Sequence, residues 1–215
     1  MYSDPYRPTT QFSIFPPAIK NLLIINGLVF LAQMTPVLGQ VLMRYMALWP
    51  LGGPVSFYPW QLVTYGFLHG NFMHLFFNMF ALWMFGLQVE NTMGTQRFLT
   101  YYFVCVIGAG MIQLIALLAT GGFAPTVGAS GAVFGLLLAF GMFFPNQPIY
   151  LYFLFPVKAK WFVVIFGALE LFYGVSNVQP GVANFAHLGG MVFGFGLIQY
   201  WRGRLPVRPE RTMRI

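Results

Sequence analysis

Long apolar runs, broken only by short polar segments, constrain this chain more than any other feature of its sequence. Of its 215 residues, 58% are hydrophobic and 7% are charged, whereas a soluble domain carries about 25% charged residues. Such a chain has too few polar side chains to cover a surface that faces water, so its surface fits lipid. The sequence therefore predicts an all-α integral membrane protein whose main surroundings are the lipid bilayer.

Six apolar segments are candidate membrane spans, although the fourth and fifth are short, and they predict a six-helix bundle over residues 18–201. Residues 1–17 then form a polar N-terminal tail, and residues 202–215 form a basic C-terminal tail. The apolar stretch Ile149–Phe155 is too short to span and is bounded by prolines, so its structure stays open. The predicted spans are Ala18–Thr35, Phe72–Val89, Phe98–Ala119, Ser130–Phe144, Trp161–Tyr173 and Ala183–Trp201.

The basic residues indicate how these spans are oriented. With six spans, 10 of the 11 Lys and Arg residues fall on one side, nine of them in the two tails and in the loops after spans 2 and 4 and the tenth, Lys20, at the adjoining end of span 1. Arg44 alone lies on the opposite side. The positive-inside rule then places both termini in the cytoplasm. The net charge of +7 does not indicate a nucleic-acid partner, because the basic residues form no patch interleaved with stacking aromatics.

The segment between spans 1 and 2 is long and rich in amphipathic aromatic residues. It runs over about Pro36–Asn71 and contains Trp49, Tyr58, Trp60 and Tyr65. Such side chains favour the boundary between lipid and water. We therefore expect a long loop that lies in the membrane interface.

A few polar side chains fall at membrane depth, where they are costly and so are candidates for function. Spans 2, 4 and 6 run in the same direction, so their polar groups share the half of the bilayer opposite the tails. Span 4 is short and carries Ser130 at its start, after a glycine-rich segment in which Gly128 leaves room for a substrate backbone. The polar candidates are His74, Asn78, Ser130, Glu170 and His187.

These residue types fit acyl transfer by a serine nucleophile. Ser130 needs a neighbouring base, and a histidine such as His187 is the side-chain type best suited to that role near neutral pH. His74, Asn78 and the Ser130 backbone N–H can stabilise a developing oxyanion. No Asp or Glu is obviously placed to orient His187, so the sequence predicts a Ser–His dyad, with Glu170 paired to a polar group on a neighbouring helix. No cofactor or metal is expected.

Each motif also has a purely structural interpretation. The glycines around Ser130 and the Gly190–Gly194 pair after His187 are typical of close helix packing. Asn78 could be interhelical glue. The three histidines could bind a metal, although no acidic or thiol ligand joins them. These alternatives weaken together, because they must explain four polar residues at one depth.

Three segments in this order resemble the rhomboid family of intramembrane serine proteases. They are His69-Gly-Asn-Phe-Met-His-Leu-Phe-Phe-Asn78, Gly128-Ala-Ser-Gly131 and Ala186-His-Leu-Gly-Gly-Met-Val-Phe-Gly194. The resemblance implies that Ser130 is the nucleophile, His187 its base, and His74 and Asn78 the oxyanion stabilisers. It also implies that Gly190 and Gly194 form the close contact between spans 4 and 6, and that Phe134 stacks on His187 where some members have Tyr.

The resemblance implies a serine endopeptidase that cleaves single-span membrane proteins near the outer end of their span, through an acyl-enzyme. Together with the charge pattern, it implies a bacterial plasma (inner) membrane and a site that opens to the outer side. Residues 174–184 would form a lid with Gly174 and Gly181 as hinges. Two other functions stay open: a catalytically silent rhomboid-like protein that binds membrane clients, and a small transporter.

Overall fold

The structure is a computed structural model that describes residues 12–151, 154–176, 183–207, 209 and 212–213. Helices make up most of these residues, so the mostly helical fold that the sequence predicts is confirmed. The helices are α1 (Pro17–Gln33), α2 (Pro36–Met46), α3 (Gln61–Thr64), α4 (Phe72–Met93), α5 (Thr95–Thr120), α6 (Ser130–Phe143), α7 (Ala159–Ser176) and α8 (Asn184–Trp201).

Several of these helices have the length and apolar composition of membrane-spanning helices. In the described part of the chain, three helices (α4, α5 and α7) are long and apolar enough to cross one, and α1 with α2 adds a fourth if that pair, bent by 120°, is one span. Helix α6 is apolar but only 14 residues long. Length and composition therefore support an all-α membrane fold.

A small β-hairpin follows α6 and makes the predicted all-α fold incomplete. Strands β1 (Pro148–Leu151) and β2 (Phe155–Lys158) pair antiparallel, with Ile149 opposite Val157. This is the stretch that the sequence left open. Proline ends a helix but is tolerated in edge strands, and both strands of a two-stranded sheet are edges.

The long segment before α4 is more ordered than an interfacial loop. The indole of Trp60 is 51% exposed and stacks on Tyr58 at 4.6 Å between ring centroids, as an interfacial position predicts. Tyr65 is instead buried, and its hydroxyl donates to the Val106 carbonyl at 2.8 Å. The side chain of Gln61 is fully buried and accepts two backbone N–H bonds of this segment at 3.3 Å each, so it holds the loop together from inside.

Helix α6 lies at the centre of the helical packing and contacts α4, α5, α7 and α8. A Cβ on Gly190 of α8 would collide with the carbonyl oxygen of Gly131 on α6, so the predicted close contact of α6 with α8 forms at these glycines.

Gly194 departs from this expectation, because it faces α5 instead of α6. A Cβ there would collide with the Tyr101 hydroxyl, which itself donates to the Gly135 carbonyl of α6 at 2.6 Å. The Tyr101 side chain therefore lies between Gly194 of α8 and the backbone of α6.

A buried carboxylate fixes the opposite end of the bundle. Glu90, near the end of α4, accepts hydrogen bonds from the backbone amides of Ala18 and Ile19, both at 2.9 Å, and from the Thr95 hydroxyl at 2.7 Å. These amides belong to the first turn of α1, where a negative charge satisfies unpaired N–H groups and the helix dipole. Glu90 thus ties α1 to the junction of α4 and α5.

The predicted lid is only partly described. Gly181 lies outside the described residues. Gly174 lies within α7, and a Cβ there would meet Phe185 at 3.2 Å and Asn184 at 3.4 Å. This glycine therefore serves the packing of α7 on α8 and does not mark a break in the helix.

Candidate active site

Ser130 is the first residue of α6, and the turn before it sets its position. Gly128 has φ +124°, a conformation that side chains rarely adopt, and its amide donates to the Tyr65 carbonyl at 3.0 Å. The Val133 amide makes an early intrahelical bond, to the Ala129 carbonyl at 3.0 Å. Because the first amides of a helix lack partners within it, the N–H groups at the Ser130 end are open to a ligand.

The predicted convergence of a serine on α6 and a histidine on α8 is present in the structure. Nε2 of His187 lies 2.8 Å from Oγ of Ser130. The imidazole is buried, and the Phe134 ring stacks on it at 4.4 Å between centroids and an angle of 7°. Phenylalanine therefore provides the stacking expected at this position and restricts the orientation of the ring.

Glu170 reaches the other side of the same imidazole. Its Oε2 lies 2.9 Å from Nδ1 of His187, and it accepts a hydrogen bond from Nδ2 of Asn184 at 2.7 Å. The prediction that Glu170 pairs with polar groups on a neighbouring helix is confirmed. The prediction that no carboxylate orients His187 is wrong.

The chain order contained a signal for this contact. Helices α7 and α8 follow one another and pack together. Glu170 lies near the end of α7, and His187 lies near the start of α8. In a helical hairpin these positions lie at similar depth. Glu170, the acidic residue inside the predicted span Trp161–Tyr173, was therefore the residue to consider as a partner of His187.

His74 lies beside the Ser130 turn on α4. The Gly70 amide donates to its Nδ1 at 3.3 Å, so the neutral ring carries its proton on Nε2. A Cβ on Gly128 would lie 2.8 Å from this Nε2. The positive φ of residue 128 and the closeness of the His74 imidazole therefore both favour a glycine at this position, where room for a substrate backbone was expected.

Asn78 lies one turn deeper on α4 and is buried. Its Nδ2 donates to the His74 carbonyl at 2.8 Å, which uses one of the two N–H bonds of the amide. Among the described residues, none accepts a hydrogen bond from the second N–H, which is therefore available to a ligand.

These side chains surround one cavity. Its volume is about 680 Å³, and its lining includes His74, Asn78, Ser130, Phe134 and His187. The structure thus brings together the predicted nucleophile, base and oxyanion residues. Because Glu170 contacts the opposite ring nitrogen, it supports this cavity from behind His187.

The environment of His69 does not support the alternative in which the three histidines bind a metal ion. This residue precedes α4 and is buried, with its ring 5.2 Å from that of His74 between centroids. Burial, and then the neighbouring His74, lower the pKa of His69 to about 4, so it is neutral at physiological pH. Among the described residues, no three His, Cys, Asp or Glu side chains are grouped to hold a metal ion.

Residues 56–203 match the family model described as the Rhomboid domain. The chain belongs to the rhomboid family. This rhomboid is 31% identical to Rhomboid protein 1, mitochondrial, of Saccharomyces cerevisiae, over 97% of its own length and 60% of that protein. It is 28% identical to the human Presenilin-associated rhomboid-like protein, mitochondrial, over 88% and 51%. It is 33% identical to RHOMBOID-like protein 6, mitochondrial, of Arabidopsis thaliana, over 64% and 42%. The chain thus spans less than two thirds of the length of these relatives.

The names of these relatives correct the expected location. They are proteins of eukaryotes and are described as mitochondrial, so the prediction of a bacterial plasma membrane with cytoplasmic termini is wrong. The charge pattern indicates only which segments of this rhomboid share a side. Below, the side with both tails is called the tail side, and the opposite side is called the serine side.

Proposed function

We propose that this rhomboid is an intramembrane serine endopeptidase that cleaves single-span membrane proteins near the end of their span on the serine side. The observation that carries the proposal is the 2.8 Å contact between Oγ of Ser130 and Nε2 of His187 in the cavity that His74, Asn78 and Phe134 also line. The names of its relatives support a mitochondrial membrane as its location.

The chemistry follows from this pair. Nε2 of His187 takes the proton of the Ser130 hydroxyl as Oγ bonds to the scissile carbonyl carbon, and the C=O electron pair moves to oxygen. The tetrahedral intermediate then collapses, its C–N bond breaks, and the leaving amine takes the proton from Nε2. An acyl-enzyme on Ser130 remains. Water attacks it with the same proton transfers, which releases the second product and restores the hydroxyl.

The negative oxygen of the intermediate needs hydrogen-bond donors that are already in place. The Ser130 amide at the start of α6, Nε2–H of His74 and the second N–H of Asn78 are suited to this role, since all three residues line the same cavity. The dipole of α6 adds positive potential at the same point. Such donors act mainly on the transition state, because the charge exists only there.

The proposed arrangement in the membrane has six spans, formed by α1, α4, α5, α6, α7 and α8. Helix α6 has 14 residues, so at 1.5 Å per residue it covers about 21 Å of a hydrocarbon core of about 30 Å. Ser130 then lies below the surface of the serine side. The segment before α6 can be non-helical at this depth because it lines a cavity that can hold water.

Cleavage of a model single-span substrate by the purified full-length chain in liposomes tests the proposal. We expect Ser130→Ala and His187→Ala each to lower kcat by about 10³-fold or more. A fluorophosphonate should label wild-type protein at Ser130 and should label neither variant. Thr100→Ala is a matched control, because the Thr100 hydroxyl on α5 is exposed and donates to the Gln96 carbonyl of its own helix; it should retain full activity.

Thermal unfolding of each sample shows whether a loss of activity is a loss of fold. Folded wild-type protein that neither cleaves nor reacts with the fluorophosphonate would contradict the protease proposal. That result would favour the silent, client-binding alternative.

A further inference from the structure

We infer that Glu170 is a positioning residue for His187, so that the site works as a Ser–His–Glu unit. The inference rests on the proposed protease function and adds a third residue to its predicted pair. Three hydrogen-bond contacts connect residues of α6, α7 and α8 in one continuous chain. Ser130 Oγ lies 2.8 Å from His187 Nε2, His187 Nδ1 lies 2.9 Å from Glu170 Oε2, and Asn184 Nδ2 lies 2.7 Å from the same Oε2.

The burial of Glu170 is costly and so requires an explanation. Its side chain is 13% exposed and the His187 side chain is 10% exposed. A carboxylate at membrane depth is tolerated when it is paired or hydrogen-bonded. Here one oxygen accepts two hydrogen bonds, both from the first turn of α8, so the carboxylate is aimed at the imidazole and held there.

This contact selects the protonation form of His187 that general-base catalysis needs. An ionised carboxylate can only accept hydrogen bonds, so Nδ1 of His187 must carry the proton. The lone pair of Nε2 then points at Oγ of Ser130. Without the carboxylate, the neutral ring is free to carry its proton on Nε2, and that form cannot accept the serine proton.

Glu170 also acts on charge during the reaction. When Nε2 takes the proton of Ser130, the ring becomes an imidazolium, and the adjacent carboxylate stabilises it. Glu170 stays ionised, and the Nδ1 proton stays on nitrogen. The same proton on Nε2 later passes to the leaving amine.

A structural role for Glu170 alone predicts something different. If it only fastens α7 to α8, its loss should lower stability and leave the His187 protonation form and the chemical step unchanged. The test therefore combines kinetics with a direct observation of the ring.

The kinetic test uses two variants. Glu170→Leu replaces the carboxylate by an apolar side chain that a membrane helix tolerates, and Glu170→Gln keeps the shape of the side chain and removes its charge. In the purified full-length chain, we expect Glu170→Leu to lower kcat by about 100-fold or more, and Glu170→Gln by at least about tenfold, with KM changed less than about threefold. Val164→Ala on the same helix is the control, because Val164 is 59% exposed. If one variant does not fold, the other still decides, since a folded variant with kcat within about twofold of wild type overturns the inference.

The spectroscopic test uses ¹⁵N-labelled histidine and needs no substrate. The chain has three histidines, so His187→Ala assigns the His187 signals. We expect protonated Nδ1 and bare Nε2 in wild-type protein, and loss of this form in Glu170→Leu. An unchanged His187 tautomer in folded Glu170→Leu overturns the inference. If wild-type protein neither cleaves nor reacts with a fluorophosphonate, the protease proposal fails, while the tautomer still reports on Glu170 separately.

Discussion

The His74 side chain is held in a fixed orientation before any oxyanion forms. The Gly70 amide occupies its Nδ1, and the Asn71 side chain accepts from its backbone amide at 2.8 Å. The ring is therefore fixed at the start of α4 with Nε2–H toward the Gly128 turn. A donor that is oriented in advance costs no reorganisation when the oxyanion forms.

We expect His74→Ala to lower kcat by about 10²- to 10³-fold, the usual effect of losing one oxyanion donor, while KM changes little. Steady-state cleavage of the single-span substrate measures both constants. Met73→Ala is the matched control, because Met73 is the preceding residue of α4 and is 53% exposed. A raised KM with unchanged kcat would show that His74 binds the substrate ground state instead.

Individual site residues could be predicted where a polar side chain is costly to place at membrane depth. Ser130, His187, His74 and Asn78 were found in this way, and the cavity brings them together. The Glu170–His187 contact was not found, because helix order and depth do not fix which faces of α7 and α8 meet. The ring of His74 against Gly128 was missed for a similar reason, since a tight turn before α6 cannot be built from residue types alone.

Helices α6 and α8 meet at glycines near the site, so their packing sets the distance between Ser130 and His187. A methyl group on Gly190 would collide with the backbone of Gly131, one residue after the nucleophile. Backbone cannot yield as a flexible side chain can, and overpacking of this kind costs about 1–3 kcal/mol. Damage to this contact should therefore lower stability and activity together.

We expect Gly190→Ala to lower the unfolding temperature and to reduce cleavage at temperatures where the protein is still folded, because Ser130 and His187 are pushed apart. Gly196→Ala is the matched control: it lies on the same helix, and a Cβ there meets nothing within 4 Å. The free energy of unfolding of that variant should stay within about 1 kcal/mol of the wild-type value. Equal behaviour of the two alanine variants would contradict the proposed role of the α6–α8 contact.

At the scale of elements, apolar runs predicted the six longer helices closely, but not α2 and α3, which lie in the segment where a loop was expected. The predicted fourth span Ser130–Phe144 differs from α6 by one residue at its end, and the predicted second span ends four residues before α4 does. The β-hairpin was not predicted, since a short apolar stretch between prolines is compatible with several structures. The contact of Gly194 with Tyr101 was also missed, because a GxxxG pattern does not say which neighbour it packs against.

The membrane orientation of the whole molecule depends on whether the short helix α6 separates the two sides. Before α6, Leu48 and Thr126 exchange backbone hydrogen bonds at 3.0 and 2.9 Å, so the loop that precedes α6 is joined to the long segment after α2. After α6 comes the hairpin, which ends at the basic residue Lys158. If α6 crosses the bilayer, these two regions lie on opposite sides although 14 helical residues separate them.

Single-cysteine labelling in sealed liposomes tests this arrangement, and the native Cys105 is buried, so its background should be low. Phe123, Leu51 and Lys158 are exposed and suit replacement by cysteine. We expect an impermeant maleimide to label Phe123→Cys and Leu51→Cys to the same fraction, and Lys158→Cys to the complementary fraction, because the first two lie on the serine side and the third on the tail side. Detergent should make all three fully reactive, and wild type, the matched control, should stay unlabelled. The comparison uses liposomes in which the fraction labelled at Phe123→Cys is clearly above or below one half, since complementary fractions are equal when half of the molecules are inverted. In such liposomes, equal fractions at Phe123→Cys and Lys158→Cys would mean that both ends of α6 lie on the same side of the membrane, which would contradict the six-span arrangement.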